Sequence, residues 1–203
     1  ANVIATLRGG SRSEERVIIG CHHDAWGYGA GDPAAGMICL LEAARAMSEL
    51  ARAGFRPART VQFAAWGAEE QGIIGSTEYV ERESRDLTRN AVAYINLDMA
   101  AMGPQFGSGA SPVLKRLVRE ASRIVPQARE SHRSVFEEWN LRNGAGVGDL
   151  GGGSDHVAFL CHAGVPSLSM GGGGSRGVSY HSIYDNLNWY RAIVGEDYEP
   201  ALM

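Results

Sequence analysis

Long apolar runs are missing from this 203-residue sequence. None approaches the roughly 20 residues that cross a bilayer, so no membrane segment is expected within it. Basic clusters are missing too. Lysine and arginine number 19 against 23 acidic residues, and the formal net charge is -4. With no basic run and no interleaved aromatics, a nucleic-acid or other polyanion surface is excluded. Cysteine is scarce: Cys21, Cys39 and Cys161 are odd in number and lack metal-knuckle spacing. Each sits in apolar sequence, so buried free thiols are expected rather than a disulfide framework. No charged and apolar leader opens the sequence, and there are no repeats or internal linkers. What remains is a chain with 44% hydrophobic residues, long enough to bury a core as one domain over residues 1–203.

The apolar pattern alternates between strand and helix. Residues 2–8 and 16–22 predict strands, the second carrying the run VIIGC expected of a strand buried on both faces. Pro33 opens a helix with Met37, Leu40, Leu41, Ala44, Met47 and Leu50 at helical spacing, and Gly54 lies just past its end. Strands follow at 60–66 and 91–97, with a short helix near 76–82 between them. Ser111 and Pro112 begin a helix whose stripe is Leu114, Leu117, Val118, Ala121 and Val125. Phe136 and Trp139 fit the apolar face of a short helix. Residues 142–154 form a long glycine-rich loop, followed by a short helix from Asp155 and a strand at 165–170. Strands alternating with helices predict an α/β domain around a mostly parallel sheet.

In such sheets ligands gather at the carboxyl ends of strands. His22, Glu69, Glu70 and Asp98 all fall at predicted strand ends, Asp32 lies on the glycine-rich loop entering the first helix, and His181 follows the last glycine-rich segment. Glu69 and Glu70 are adjacent on leaving a strand and so point in different directions. One can hold a metal while the other faces a water on it, a ligand and a general base. Two imidazoles and three carboxylates suit zinc, then manganese or cobalt. Five donors are too many for one tetrahedral ion with an open position and suit two metals sharing a bridging carboxylate.

NVIATLRG at 2–9, CHHDAWGYGAGDP at 21–33, FRPARTVQFAAWGAEEQGIIGSTEY at 55–79, AYINLD at 93–98, GGGSDHVAF at 151–159 and YHSIYD at 180–185 occur in this order. Together they resemble the co-catalytic zinc aminopeptidase superfamily, in its glutamate carboxypeptidase II and transferrin-receptor branch. The resemblance implies a three-layer α/β/α sandwich around a mixed sheet and two zinc ions per chain. It implies that His22 and Asp98 hold one zinc, Glu70 and His181 the other, and that Asp32 bridges. Glu69 would be the general base for a metal-bridging hydroxide, Tyr180 a donor to the tetrahedral oxyanion, and Gly153 with Ser154 would lie against the peptide substrate. It further implies a cis peptide at Asp32–Pro33, a homodimer in the full-length protein, and a secreted or membrane-anchored extracytoplasmic location. The branch's apical and C-terminal helical domains have no counterpart in this sequence, which reads as an excised catalytic core. An arginine cluster after Met170 is also missing, Arg176 alone remaining, so an acidic substrate is not implied. Two alternatives share the scaffold: a non-catalytic receptor-like domain, and a single-zinc glutaminyl cyclotransferase.

Other residues carry two readings each. Asp24 could accept the second N–H of His22 and fix its tautomer, or cap a loop. His156 could be exposed or capping at a helix start, or touch substrate. Trp26 and Tyr28 could line the cleft or pack on the core. Ser154 lacks the strand–elbow–helix context of a serine nucleophile.

Overall fold

The computed structural model describes residues 1–127, 132–174 and 179–194. Arg176 and the segment EDYEPALM lie outside the described residues.

Six strands form one mixed sheet: β1 (Val3–Leu7), β2 (Arg12–His22), β3 (Arg59–Trp66), β4 (Ala91–Asn96), β5 (Gln105–Ala110) and β6 (Ser167–Gly173). Their order is β1-β3-β2-β4-β6-β5. The four central strands run parallel, and β1 and β5 add antiparallel edges. Parallel strands buried on both faces need apolar residues at successive positions, and β2 and β3 supply them. In β3, Val61 and Phe63 face one way while Ala64 and Trp66 face the other, as the two-residue period of a strand requires.

Helix α1 (Ala34–Arg52) covers the Val61 and Phe63 face through Leu40. Helices α3 (Lys115–Ile124) and α4 (Val135–Asn143) extend the same layer over β5 and β6, Trp139 packing with Ala110 and Leu168. On the opposite face, α2 (Ile74–Asn90) and a π-helical turn (Ala158–His162) bury Trp66, Tyr79, Val80, Tyr94 and Phe159 together. Phe159 stacks on Tyr94 with ring centroids 4.0 Å apart. Each such side chain contributes on the order of 1.5–3 kcal/mol by leaving water. A fifth helix, α5 (Leu187–Val194), packs Tyr190 against Ala35, Ala101 and Met102. The result is the expected α/β/α sandwich. No helix among the described residues is long and apolar enough to cross a membrane.

Several elements differ from the sequence reading. Strand β2 reaches back to Arg12 and α2 runs on to Asn90. Strand β5 and helix α5 were not anticipated. Cys21 is buried as expected, but Cys39 is half-buried and Cys161 is exposed, because the π-helical turn points it away from Phe159 and the core.

Candidate metal centre

Three features of the chain bring the candidate residues to one edge of the sheet. Strands β2 and β3 end in register, His22 beside Trp66, so the His22 and Glu69 segments leave the sheet side by side. Ala68, at φ 60, turns the chain off β3 and aims Glu69 and Glu70 separately. The first turn of α1 lies against the end of β4, where a Cβ at Gly36 would collide with the carbonyl oxygens of Leu97 and Asp98. Only glycine permits that approach. The Asp32–Pro33 peptide, where α1 begins, is cis as expected.

The donors form two groups of three that share Asp32. His22, Asp32 and Asp98 make one, and Asp32, Glu70 and His181 make the other, with ligand atoms within 4.8 Å of one another in each. His22 Nε2 stands 3.0 Å from Asp98 Oδ1 and 3.2 Å from Asp32 Oδ1. His181 Nε2 stands 3.1 Å from Asp32 Oδ2 and 3.1 Å from Glu70 Oε2. The two oxygens of Asp32 therefore face different imidazoles. Glu69 Oε2 is 4.0 Å from His22 Nε2 and belongs to neither group. His181 itself has φ 53, an uncommon conformation for a residue with a Cβ.

The chemistry of this donor set fits cations. His22 Nδ1 donates to the Asp24 carbonyl at 3.0 Å, which leaves the lone pair of neutral Nε2 directed at two carboxylates. Such an arrangement holds only with a positive charge between the groups. Without a metal that charge is a proton. Burial lowers the His22 pKa, but hydrogen bonds to Asp32 and Asp98 outweigh it and raise the group to about 11. Burial raises Glu70, with Asp32 adding to the effect, and Glu70 Oε1 is buried without a hydrogen-bond partner. An orphaned buried carboxylate oxygen is costly unless a ligand completes it.

Behind the donors stands a chain of hydrogen bonds. Trp66 Nε1 donates to the Tyr94 hydroxyl at 3.0 Å, and that hydroxyl donates to Asn96 Oδ1 at 3.0 Å. Asn96 Nδ2 donates to Ser154 Oγ at 3.0 Å, and Ser154 Oγ donates to Asp98 Oδ2 at 2.8 Å. The buried core thus fixes the orientation of Asp98. Two further carboxylates brace the loops through backbone N–H groups. The Asp24 carboxylate accepts from Glu69 and Glu70 at 3.0 and 3.1 Å. Its own carbonyl, rather than its side chain, takes the His22 N–H, Oδ1 standing 3.8 Å from Nδ1. Asp185 accepts from Gly31 at 2.7 Å and from Asp32 at 3.0 Å, tying the Asp32 loop to the His181 segment.

Asp185 carries no signal in the sequence beyond membership of YHSIYD, since it acts only on main-chain donors. Burial raises Asp155 to about 7 against the opposing hydrogen bond from Ser76. Tyr180 is half-exposed and stacks on His181 at 3.7 Å between centroids. Gly153 has φ 90 and open space where a Cβ would be. Ser154 is buried beneath Asp98. His156 is buried, with Nε2 2.8 Å from the Gly151 carbonyl, bracing the glycine loop. Trp26 and Tyr28 are exposed, and Trp26 meets the His181 ring edge-on.

Comparison with known proteins matches residues 2–192 to Peptidase family M28. A probable glutamate carboxypeptidase, LAMP1 of Arabidopsis thaliana, is 40% identical over 190 residues, covering 93% of this chain and 28% of that protein. A probable glutamate carboxypeptidase of Arthroderma benhamiae is 42% identical over 187 residues, covering 89% of this chain and 26% of that protein. The chain therefore spans about a quarter of the length of these relatives. Among solved structures, BSAP, a zinc aminopeptidase from Bacillus subtilis, superposes with a TM-score of 0.68 at 20% identity, over 99% of this chain and 49% of that one. A glutaminyl cyclase from an Acidobacteriales bacterium gives 0.64 at 18% identity, over 98% of this chain and 69% of that one. At such identities the superpositions speak for the fold alone.

Proposed function

Because this chain belongs to Peptidase family M28, where its curated relatives include probable glutamate carboxypeptidases, we propose that it is the hydrolytic core of a two-zinc exopeptidase. The observation that carries the proposal is the division of one carboxylate between two imidazoles, Asp32 Oδ1 toward His22 and Oδ2 toward His181. His22 and Asp98 would hold one ion, Glu70 and His181 the other, and Asp32 both. Bound zinc would act as a Lewis acid toward the scissile carbonyl and bring the pKa of water near neutrality.

The remaining steps fall to the chain's own side chains. Burial raises Glu69 to about 7, His22 opposing and Asp155, Asp98 and Glu70 adding to it. A carboxyl poised near neutral pH can take a proton from the attacking water and return it to the leaving amine. Burial and the nearby carboxylates raise Tyr180, which keeps its hydroxyl protonated as a donor to the oxyanion. The open main chain at Gly153 lets the substrate amide approach. The Ser154 hydroxyl is engaged by Asp98 and Asn96, so it serves the site by holding Asp98. Two complete donor groups favour a pair of ions over the single zinc of a cyclotransferase. A homodimer of the full-length protein is part of the same proposal.

Elemental analysis after zinc loading and gentle dialysis should approach two zinc ions per chain, and the loaded protein should hydrolyse dipeptides in a chelator-sensitive way. A reproducible value of one ion under zinc excess would sink the paired-site reading.

A further inference from the structure

Beside Asp98 lies an open cavity of about 330 Å³ that none of the proposed steps uses. Its lining includes Asp98, Met99, Ser169, Gly107, Gly109 and Gly171. The origin of the space is the β5–β6 ladder. Gly107 pairs with Gly171 and Gly109 with Ser169, so these four residues share one face of the sheet. Among these four residues Ser169 alone has a side chain, with Gln105 and Gly173 the next pair along, so the floor between is bare main chain. The neighbouring loop approaches this floor at Gly109, through Asp149 and Leu150.

We propose that this cavity receives a large uncharged side chain of the peptide substrate, and that Gly107 sets the size it accepts. The proposal rests on the two-zinc exopeptidase reading, because only that reading puts a scissile amide beside Asp98. The charge class follows from the wall. None of the lining residues is cationic, and the one ionised group, Asp98, is an acid. An acidic side chain would find no cationic partner there and would face a like charge. A lysine or arginine would find Asp98 already engaged by His22 and Ser154. Uncharged side chains meet neither penalty.

Gly107 is the position that can be tested. A Cβ built on it meets nothing within 4 Å, whereas at Gly171 it would stand 2.8 Å from the Ala100 backbone and at Gly109 3.0 Å from the Asp149 carbonyl. Gly107 is also not among the glycines at positive φ, so an L side chain fits its backbone. A side chain added there occupies the cavity and displaces nothing.

The experiment compares wild type, Gly107→Ala and Gly107→Val, each zinc-loaded, on Ala-Ala, Leu-Ala, Ala-Leu, Glu-Ala and Ala-Glu. Wild type should prefer leucine to glutamate by about tenfold or more in kcat/KM in one orientation. In Gly107→Val the leucine-to-alanine ratio in that orientation should fall by about tenfold or more, with Gly107→Ala between. Equal use of glutamate and leucine by wild type, or a ratio unchanged by valine, overturns the proposal. If wild type cleaves none of the dipeptides, the exopeptidase reading fails. The cavity is then judged by calorimetry with free L-leucine and L-glutamate. Leucine binding that exceeds glutamate binding in wild type and is lost in Gly107→Val supports it. No difference between the two amino acids overturns it.

Discussion

The adjacent carboxylates Glu69 and Glu70 have similar chemistry and different surroundings. Glu70 sits within 3.1 Å of His181 Nε2, while Glu69 stays 4.0 Å from His22 Nε2. Glu69→Gln should therefore keep its zinc and lose about 10²–10⁴-fold in turnover. Glu70→Gln should lose zinc as well, as metal analysis of the two variants beside their rates will show. A reversed pattern would exchange the two roles. His22 gives a second expectation at this scale. With its folded pKa raised from 6.5 to about 11, the metal-free site carries an imidazolium near neutral pH. The stabilisation from that proton is complete below the ordinary value and is lost as pH rises through the folded value. Zinc must displace the same proton, so one should be released on binding. Affinity should then climb about tenfold per pH unit between those limits. Titration in weak buffer will count the proton, and a pH-independent affinity would mean that His22 is not displaced.

Among the elements, those with a strong apolar signal were legible. VIIGC in β2 and VQFAAW in β3 are patterns that two-sided burial explains, whereas the stripe of α1 held in part, with Leu40 buried but Leu41 and Leu50 exposed. Strand β5 was not legible because QFGSGA has glycine where alternation would show, and it is held by its partner β6 rather than by its own propensity. Helix α2 was read too short because its buried residues, Ser76, Tyr79, Val80 and Leu87, are sparse in a polar sequence. The convergence of the candidate donors was legible because they are side chains of the right chemistry at strand ends. Asp185 was not, since main-chain contacts leave no pattern. Its two bonds hold the loop that presents Asp32. Asp185→Asn keeps one acceptor and turns an amide N–H₂ toward the other N–H. Zinc dissociation, read by competition with a chromogenic chelator, should worsen by about 10–100-fold, with far-ultraviolet circular dichroism unchanged. Unaltered affinity would mean that the loop holds its shape without this clamp.

At the scale of the molecule, the candidate donors come from β2, the α1 entry, the β3 exit, the β4 exit and the segment before α5, so an ion held by them would fasten the whole sheet edge. Saturation at a thousandfold excess over Kd adds about 4 kcal/mol. For a chain of this size each kcal/mol moves the melting temperature by roughly 2–4 °C. Chelation should thus lower the melting temperature by about 8–16 °C, measured by calorimetry at constant pH. A melting temperature indifferent to chelation would show that the donors do not link these elements through an ion.

The strand order also imposes a schedule on the growing polypeptide. Strand β6 lies between β4 and β5, yet it leaves the ribosome after both. Residues 111–166, 56 in all, separate the end of β5 from the start of β6, which at 5–20 residues per second is roughly 3–11 s of synthesis. During that interval β4 has an open edge and β5 has no neighbour to pair with. His181 emerges later still, so the second donor group can be completed only after all six strands have been translated.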